Sequence, residues 1–317
     1  MTQFSQGFGR WVGTAEVYSG EGRFLGNGAD SRHVQAVGDG RTRIDVSFIG
    51  PFKHAGHYFI QEQAGRRLYR GPANVGEAET LSESLVDANA YWPALGLSQR
   101  FFLMVLPGGG TQLSLALMSR GEHLLYVVVG QNDKVPEGSA APPPSLVSGT
   151  AYDLAQDPRA GRGELLLHRD GVWSGRLTML DANRKLLGEA AYCETVQRTG
   201  PRELLVTGEG GFSAAHRSAV FTTNDWQAWT TPDQSLAGSY SLYGGRAASG
   251  HFHLLDEGLR VWRREVVTHD GTQKALVRFW YRGGERVAME FGVLRFSVFG
   301  HESSDTVTDR RPKTHDR

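Results

Sequence analysis

His251-Phe252-His253 and the arginines that follow form the stretch of this chain best suited to chemistry. On a strand, a spacing of two puts His251 and His253 on one face, within reach of a shared ligand or metal, and turns Phe252 toward the core. No third ligand is evident, so no metal site is expected; a polar cavity wall or a solvated face is the plainer reading. In Leu259 to Val267, a strand would set Leu259, Val261, Arg263, Glu265 and Val267 on one face and Arg260, Trp262 and Arg264 on the other. One arginine must then approach a buried face, where a guanidinium requires a carboxylate. That carboxylate is either an internal acid such as Glu265 or the polar end of a ligand held by Arg260 or Arg263. Arg100 faces the same alternatives in an earlier strand that matches this one.

A second imidazole pair, His54 and His57, is spaced by three, which in a strand points the rings to opposite faces. His57 is therefore either a cavity group or a surface hydrogen-bonding group. Tyr91 and Trp92 are aromatics with polar tips, of the kind found at cavity mouths and interfaces; Trp226 and Trp229, beside Asp225, could equally pack between domains. Cys193, next to Tyr192 and with no base in view, reads as a structural thiol. The chain carries no Walker sequence, no Gly-x-Ser-x-Gly, no His-Glu-x-x-His and no Cys-x-x-Cys, so no cofactor is expected.

The elements that must position these groups come in two copies. Gly9-Arg10-Trp11-Val12-Gly13 returns as Gly171-Val172-Trp173-Ser174-Gly175, an offset of 162 residues that also relates Gly76 to Gly238 and Gly96-Leu97 to Gly258-Leu259. Internal repetition on this scale sets the architecture before any local reading. The 41 glycines fall between short apolar segments, and pairs such as Asp270-Gly271 and Gly283-Gly284 suit hairpin turns, the signature of an antiparallel all-β protein. Arg43 to Phe48 alternates polar and apolar, whereas Phe101 to Leu106 and Leu124 to Val129 are continuous apolar runs that suit strands covered on both faces. Glu77 to Ala90 has some helical spacing. Its glycine-rich counterpart, Ser239 to Leu254, cannot be a good helix, so both are read as extended. The domain layout is a first barrel at 1–134, a Pro-rich linker at 135–147, a second barrel at 148–300 and an unstructured tail at 301–317. A strand over Glu164 to His168 should lead into the second copy.

A Gly-x-Trp at the start of an up-and-down barrel resembles the first motif of the lipocalins and the wider calycin group, and here it occurs twice, at Trp11 and Trp173. The tandem layout resembles an uncharacterised, largely cyanobacterial family of two-domain lipocalin-like proteins, through Phe8 to Gly13 with Phe24-Leu25, Tyr243-Gly244-Gly245, Leu259 to Arg264 and Leu276-Val277. The resemblance implies an all-β fold of two tandem antiparallel lipocalin-like barrels from internal duplication. In it the tryptophans pack across each closed end and the interior holds packed side chains or, at eight strands, one small ligand.

Composition narrows the function classes. A hydrophobic content of 39%, with 21% charged residues, describes a globular chain, and no apolar run reaches the length of a transmembrane helix. A formal charge of zero argues against nucleic acid as the partner, and the N-terminus lacks a signal-peptide pattern. With a single cysteine, a cytoplasmic protein without membrane insertion is expected. The leading expectation is binding of a hydrophobic or amphipathic small molecule in a barrel cavity, possible within a biosynthetic pathway, by a monomer or a homodimer. The alternatives are a cofactor-independent cyclase or isomerase, and a module that takes a peptide in the groove between barrels. The ligand-binding candidates are Arg260, Arg263, His251, His253, Arg100, Tyr91, Trp92 and His57, with the second barrel favoured because it holds most of them.

Overall fold

The computed structural model describes residues 4–38, 40–63, 66–138, 165–212, 217–224, 226–230 and 235–299. Most of the expected linker, the tail at 301–317, Asp225 and Glu164 lie outside the described residues. Ten strands form the first half: β1 (Gly9–Ser19), β2 (Phe24–Ala36), β3 (Arg41–Ile49), β4 (Lys53–Gln63), β5 (Arg66–Arg70), β6 (Val75–Ser82), β7 (Leu85–Trp92), β8 (Leu97–Val105), β9 (Thr111–Arg120) and β10 (His123–Val135). Ten more form the second: β11 (Gly171–Asp181), β12 (Leu186–Gly200), β13 (Glu203–Gly210), β14 (Arg217–Thr223), β15 (Gln227–Thr230), β16 (Leu236–Tyr243), β17 (Ala247–Leu254), β18 (Leu259–Val267), β19 (Gln273–Arg282) and β20 (Glu285–Ser297). In each half every strand pairs antiparallel with its sequence neighbours, and the first strand pairs with the last, so both sheets close into barrels.

Two tandem antiparallel barrels are thus the architecture, with ten strands in each rather than the eight that the calycin resemblance implied. Lumen width grows with strand number, so each interior exceeds what an eight-stranded barrel offers. The ambiguous segment Glu77 to Ala90 is the β6–β7 hairpin, extended as its counterpart β16–β17 is. One local reading fails. Leu166–His168 is a 3-10 turn instead of a strand, because it folds across the end of the second barrel, where the Leu167 amide donates to the Gly245 carbonyl at 2.9 Å.

The same device closes the first barrel. A 3-10 turn at Ser5–Gly7 crosses its end, and Trp11, fully buried below, donates its indole N–H to the Gly7 carbonyl at 2.9 Å. Strand alternation then fixes the opposite end as the mouth, bordered by the β3–β4 and β7–β8 turns.

The apolar runs in β8, β9 and β10 have a second cover: the other barrel. Phe102, Met104, Leu113, Leu115, Val127 and Val129 point outward and merge with Val266, Ala275, Val277, Phe279 and Met289 into one core shared by both barrels. Ion pairs between described residues cross this interface, among them Glu16–Arg246 at 2.8 Å, Asp87–Arg264 at 2.5 Å and Glu79–Arg286 at 2.6 Å, and His269 reaches Glu16 at 3.1 Å. Tyr18, near the mouth of the first barrel, abuts Gly244 at the closed end of the second, whereas Glu79, nearer the closed end of the first, meets Arg286 at the mouth of the second. The barrels therefore lie side by side with their mouths facing opposite ways.

Candidate ligand-binding cavities

Period-two alternation aims a distinct set of side chains into the first lumen: Asp30, Arg32 and Val34 from β2, Tyr58 and Ile60 from β4, Arg67 and Tyr69 from β5, Gln112 and Ser114 from β9. They surround a cavity of about 130 Å³. Phe4 and Gly7 of the 3-10 turn also line it, and Phe48, Phe52, Trp92 and Leu95 line its mouth. The rings form two groups: Phe48 stacks on Phe52 at 4.6 Å and Phe52 lies 5.4 Å from Tyr126, while His54 meets Trp92 edge-on at 4.6 Å.

The polar groups in this apolar space are only partly satisfied. Arg32 donates to Asp30 at 2.7 Å, and Asn132 donates to the same carboxylate at 3.3 Å. Arg67 Nε, Asn74 Oδ1, Gln112 Oε1 and His54 Nε2 are buried without hydrogen-bond partners. Such atoms are costly to leave bare, and in a native interior they mark places where another molecule completes the bonding. Burial pushes the phenols of Tyr58 and Tyr69 up, so both stay protonated, and burial pushes the His54 imidazole down, so it stays neutral at pH 7.

The second lumen differs in kind. A cavity of about 110 Å³ adjoins Tyr192, Glu194, Phe221, Arg263, Arg278 and Trp280. Here the charges are matched internally. Arg263 bonds Glu194 and Glu265, each at 2.6 Å, and Lys274 reaches the same carboxylates at 2.6 and 3.2 Å. Arg278 and the Trp280 indole hold Glu290 at 2.9 and 2.6 Å, and the Phe212 amide also donates to it. Burial alone would raise the Glu194 carboxyl, but the charges of Arg263 and Lys274 outweigh it and hold Glu194 well below the usual carboxylate range. Burial drives the Tyr192 and Tyr240 phenols up and takes His168, bonded to Tyr240 at 2.8 Å, down to about 4. None of these four groups is poised to exchange a proton near neutrality.

Of the sequence candidates, His253 and Arg260 pair across β17 and β18 and line one open cleft with Tyr281, while the others scatter over this frame. Arg263 faces the second lumen and Trp92 lines the first, with its indole donating to Gln99 at 2.7 Å. Arg260 lies on the outer face of β18, over the Tyr281 ring at 4.6 Å. His251 and His253 share the outer face of β17 and are exposed; His251 stacks on Trp262 at 5.7 Å. Arg100 sits at the inter-barrel seam, 3.5 Å from Asp87 and over the Trp262 ring. Tyr91 is exposed, and His57 packs edge-on against Phe59, turned away from the side of Tyr58 and Ile60. Among the described residues no group of His, Cys, Asp and Glu has the arrangement of a metal site. The residues that sequence reasoning missed are Arg32, Arg67, Tyr58 and Tyr69. A usable signal was present in Arg66-Arg67-Leu68-Tyr69-Arg70, where alternation pairs Arg67 with Tyr69 on one face.

Comparison with solved structures places the fold. A protein of unknown function of the DUF3598 family from Nostoc punctiforme aligns with a TM-score of 0.59 at 12% identity, over 94% of this chain and 100% of that one. A redesigned β-barrel aligns with a TM-score of 0.27 at 12% identity, over 43% of this chain and 98% of its own. No protein-family model and no curated protein matches the chain.

Proposed function

From the tandem-barrel fold shared with the Nostoc protein, we propose that this chain binds a small hydrophobic or amphipathic molecule, and that the first barrel holds it. The observation that carries the reading is the first cavity itself: aromatic at its mouth, apolar along its walls and lined with four buried polar atoms that lack partners. Ligand sites combine an apolar lining with a few convergent polar groups in this way. The second barrel, which the candidate residues favoured, instead holds its arginines and lysine in internal ion pairs with Glu194, Glu265 and Glu290, although Arg263 and Arg278 also retain nitrogens without hydrogen-bond partners. That network also weighs against a cyclase or isomerase in the second lumen, because Arg263 and Lys274 hold Glu194 well below the usual carboxylate range and burial pushes the Tyr192 and Tyr240 phenols up. A peptide in the inter-barrel groove is disfavoured because Phe102, Leu115, Val277 and Phe279 already fill it.

We further read the barrels as calycin relatives, on the strength of Trp11 and Trp173, both fully buried under a closing 3-10 turn. A cytoplasmic carrier within a biosynthetic pathway fits the single cysteine and the absence of catalytic motifs. Native mass spectrometry of freshly isolated protein tests the binding reading. A co-purifying small molecule is expected in the wild type and should be lost from Ala116→Phe, which fills the first lumen. A wild type that arrives bare and gives no response to apolar fluorescent probes refutes it.

A further inference from the structure

The two arginines inside the first barrel are unequally held. Arg32 is matched by Asp30 at 2.7 Å. Arg67 is only 3% exposed, yet its Nε has no hydrogen-bond partner. Its nearest carboxylate, Glu62, stands 3.7 Å away with 30% of its side chain in solvent, too far to bond and well screened. The Phe4 ring covers one face of the guanidinium from 5.5 Å. A buried guanidinium without a bonded anion is an expensive feature to retain. Arg32 and Arg67 both act electrostatically on the Tyr58 and Tyr69 phenols, whose rings lie 5.3 Å apart. Two cations and two hydroxyls thus converge on one region of the lumen. The matching short strand of the second barrel, β15, carries no charged residue, so this head site belongs to the first barrel alone.

We infer that the ligand of the first barrel is a small monocarboxylate with an aromatic or short aliphatic body, its carboxylate meeting Arg67 with Tyr58 and Tyr69 and its body lying among Phe48, Phe101 and Trp92. This rests on the binding proposed above for the same cavity. A guanidinium whose only carboxylate stands 3.7 Å away accommodates one closely bonded negative charge; a phosphate ester would bring nearly two, and a neutral ligand would leave Arg67 as it stands. A planar carboxylate also fits the donor fork of a guanidinium. Size follows from the volume: about 130 Å³ is close to that of the ~150 Å³ engineered cavity that accommodates benzene. A single ring with one acidic substituent matches both limits.

The test titrates the full chain with benzoate, its neutral isostere benzamide, and toluene, by calorimetry and by ligand-induced shift in Tm. Benzoate should bind the wild type at least tenfold more tightly than benzamide. Arg67→Met should erase that preference while leaving toluene binding within twofold, and Arg67→Lys should keep part of it. If Arg67→Met does not fold, Tyr69→Phe provides a second arm, expected to weaken benzoate several-fold without affecting benzamide. Equal binding of benzoate and benzamide to the wild type, or a preference that survives Arg67→Met, overturns the carboxylate assignment. If toluene still binds and is lost in Ala116→Phe, the cavity reading survives that result. Failure of all three probes overturns both.

Discussion

Asp87→Asn is the sharpest test of how the barrels are joined. Asp87 is 4% exposed and accepts a 2.5 Å hydrogen bond from Arg264, which is fully buried. The Arg264 guanidinium has no other hydrogen bond at Nε or Nη1 and is packed among the rings of Trp262, Phe279 and Phe102 at 4.1, 5.1 and 5.5 Å. Removing the carboxylate charge with an isosteric amide strands this cation between two apolar walls, at a cost of about 3–5 kcal/mol. The reverse change should cost less. In Arg264→Met, Asp87 keeps Arg100 at 3.5 Å, a partner that is partly solvated, so a loss of about 1–3 kcal/mol is expected. Replacing both with apolar residues, Asp87→Leu with Arg264→Met, should return stability to within about 1 kcal/mol of wild type or above it. Urea unfolding followed by tryptophan fluorescence and far-ultraviolet circular dichroism measures all three. The reasoning fails if Asp87→Asn costs less than about 1 kcal/mol, or if the double variant loses as much as the two singles together.

Two further outcomes follow from other sites. Burial holds the His168 imidazole neutral, with its pKa at about 4 against an ordinary 6.5, so between those values the unfolded chain binds a proton that the folded chain refuses. The contribution of this group is whole above pH ~6.5 and is lost as pH falls toward ~4, about 3 kcal/mol in all. His168→Gln should flatten that part of the urea-midpoint profile relative to wild type, and identical slopes would contradict the assignment. Gly244 and Gly258 share a left-handed backbone, φ 60° and 61°, but a Cβ on Gly244 would overlap the Tyr18 hydroxyl of the other barrel whereas one on Gly258 meets open space. Both alanine substitutions should lose about 1–2 kcal/mol to backbone strain, and only Gly244→Ala should lose more. Equal losses would mean the barrels part at this point at no cost.

The tandem barrels were legible in the sequence because glycine spacing and the offset between Trp11 and Trp173 are properties of the chain itself. So was the division of β18 into two faces, since period-two alternation is local. What each face looks upon was not. Arg263 and Arg264 are adjacent and chemically alike, yet one enters a lumen and the other an interface, and that depends on a second barrel docking against β18. The same docking explains why Phe101 to Leu106 is apolar on both sides. Strand number was missed because β15, with four residues, is too short to show a period. The first cavity stayed hidden because its polar set is drawn from β2, β4, β5 and β9, far apart in sequence, whereas His251 and His253 attracted attention through proximity alone.

Side-by-side docking also divides each barrel mechanically. The arc from β6 through β10 to β1, and the arc from β17 to β20, are held against a packed neighbour. The opposite arcs contain the shortest strands, β5 and β15; among the described residues β15 is tied to β14 over Phe221 to Thr223. Ladders that are short and unbacked open first. In the first barrel the compliant strand is β5, which carries Arg67 and Tyr69. Breathing would therefore part the wall beside the carboxylate site and give a guest a side entrance, while the clamped arc keeps the lumen in register. The second barrel is then an external brace for one side of its neighbour and leaves the other side to hold itself.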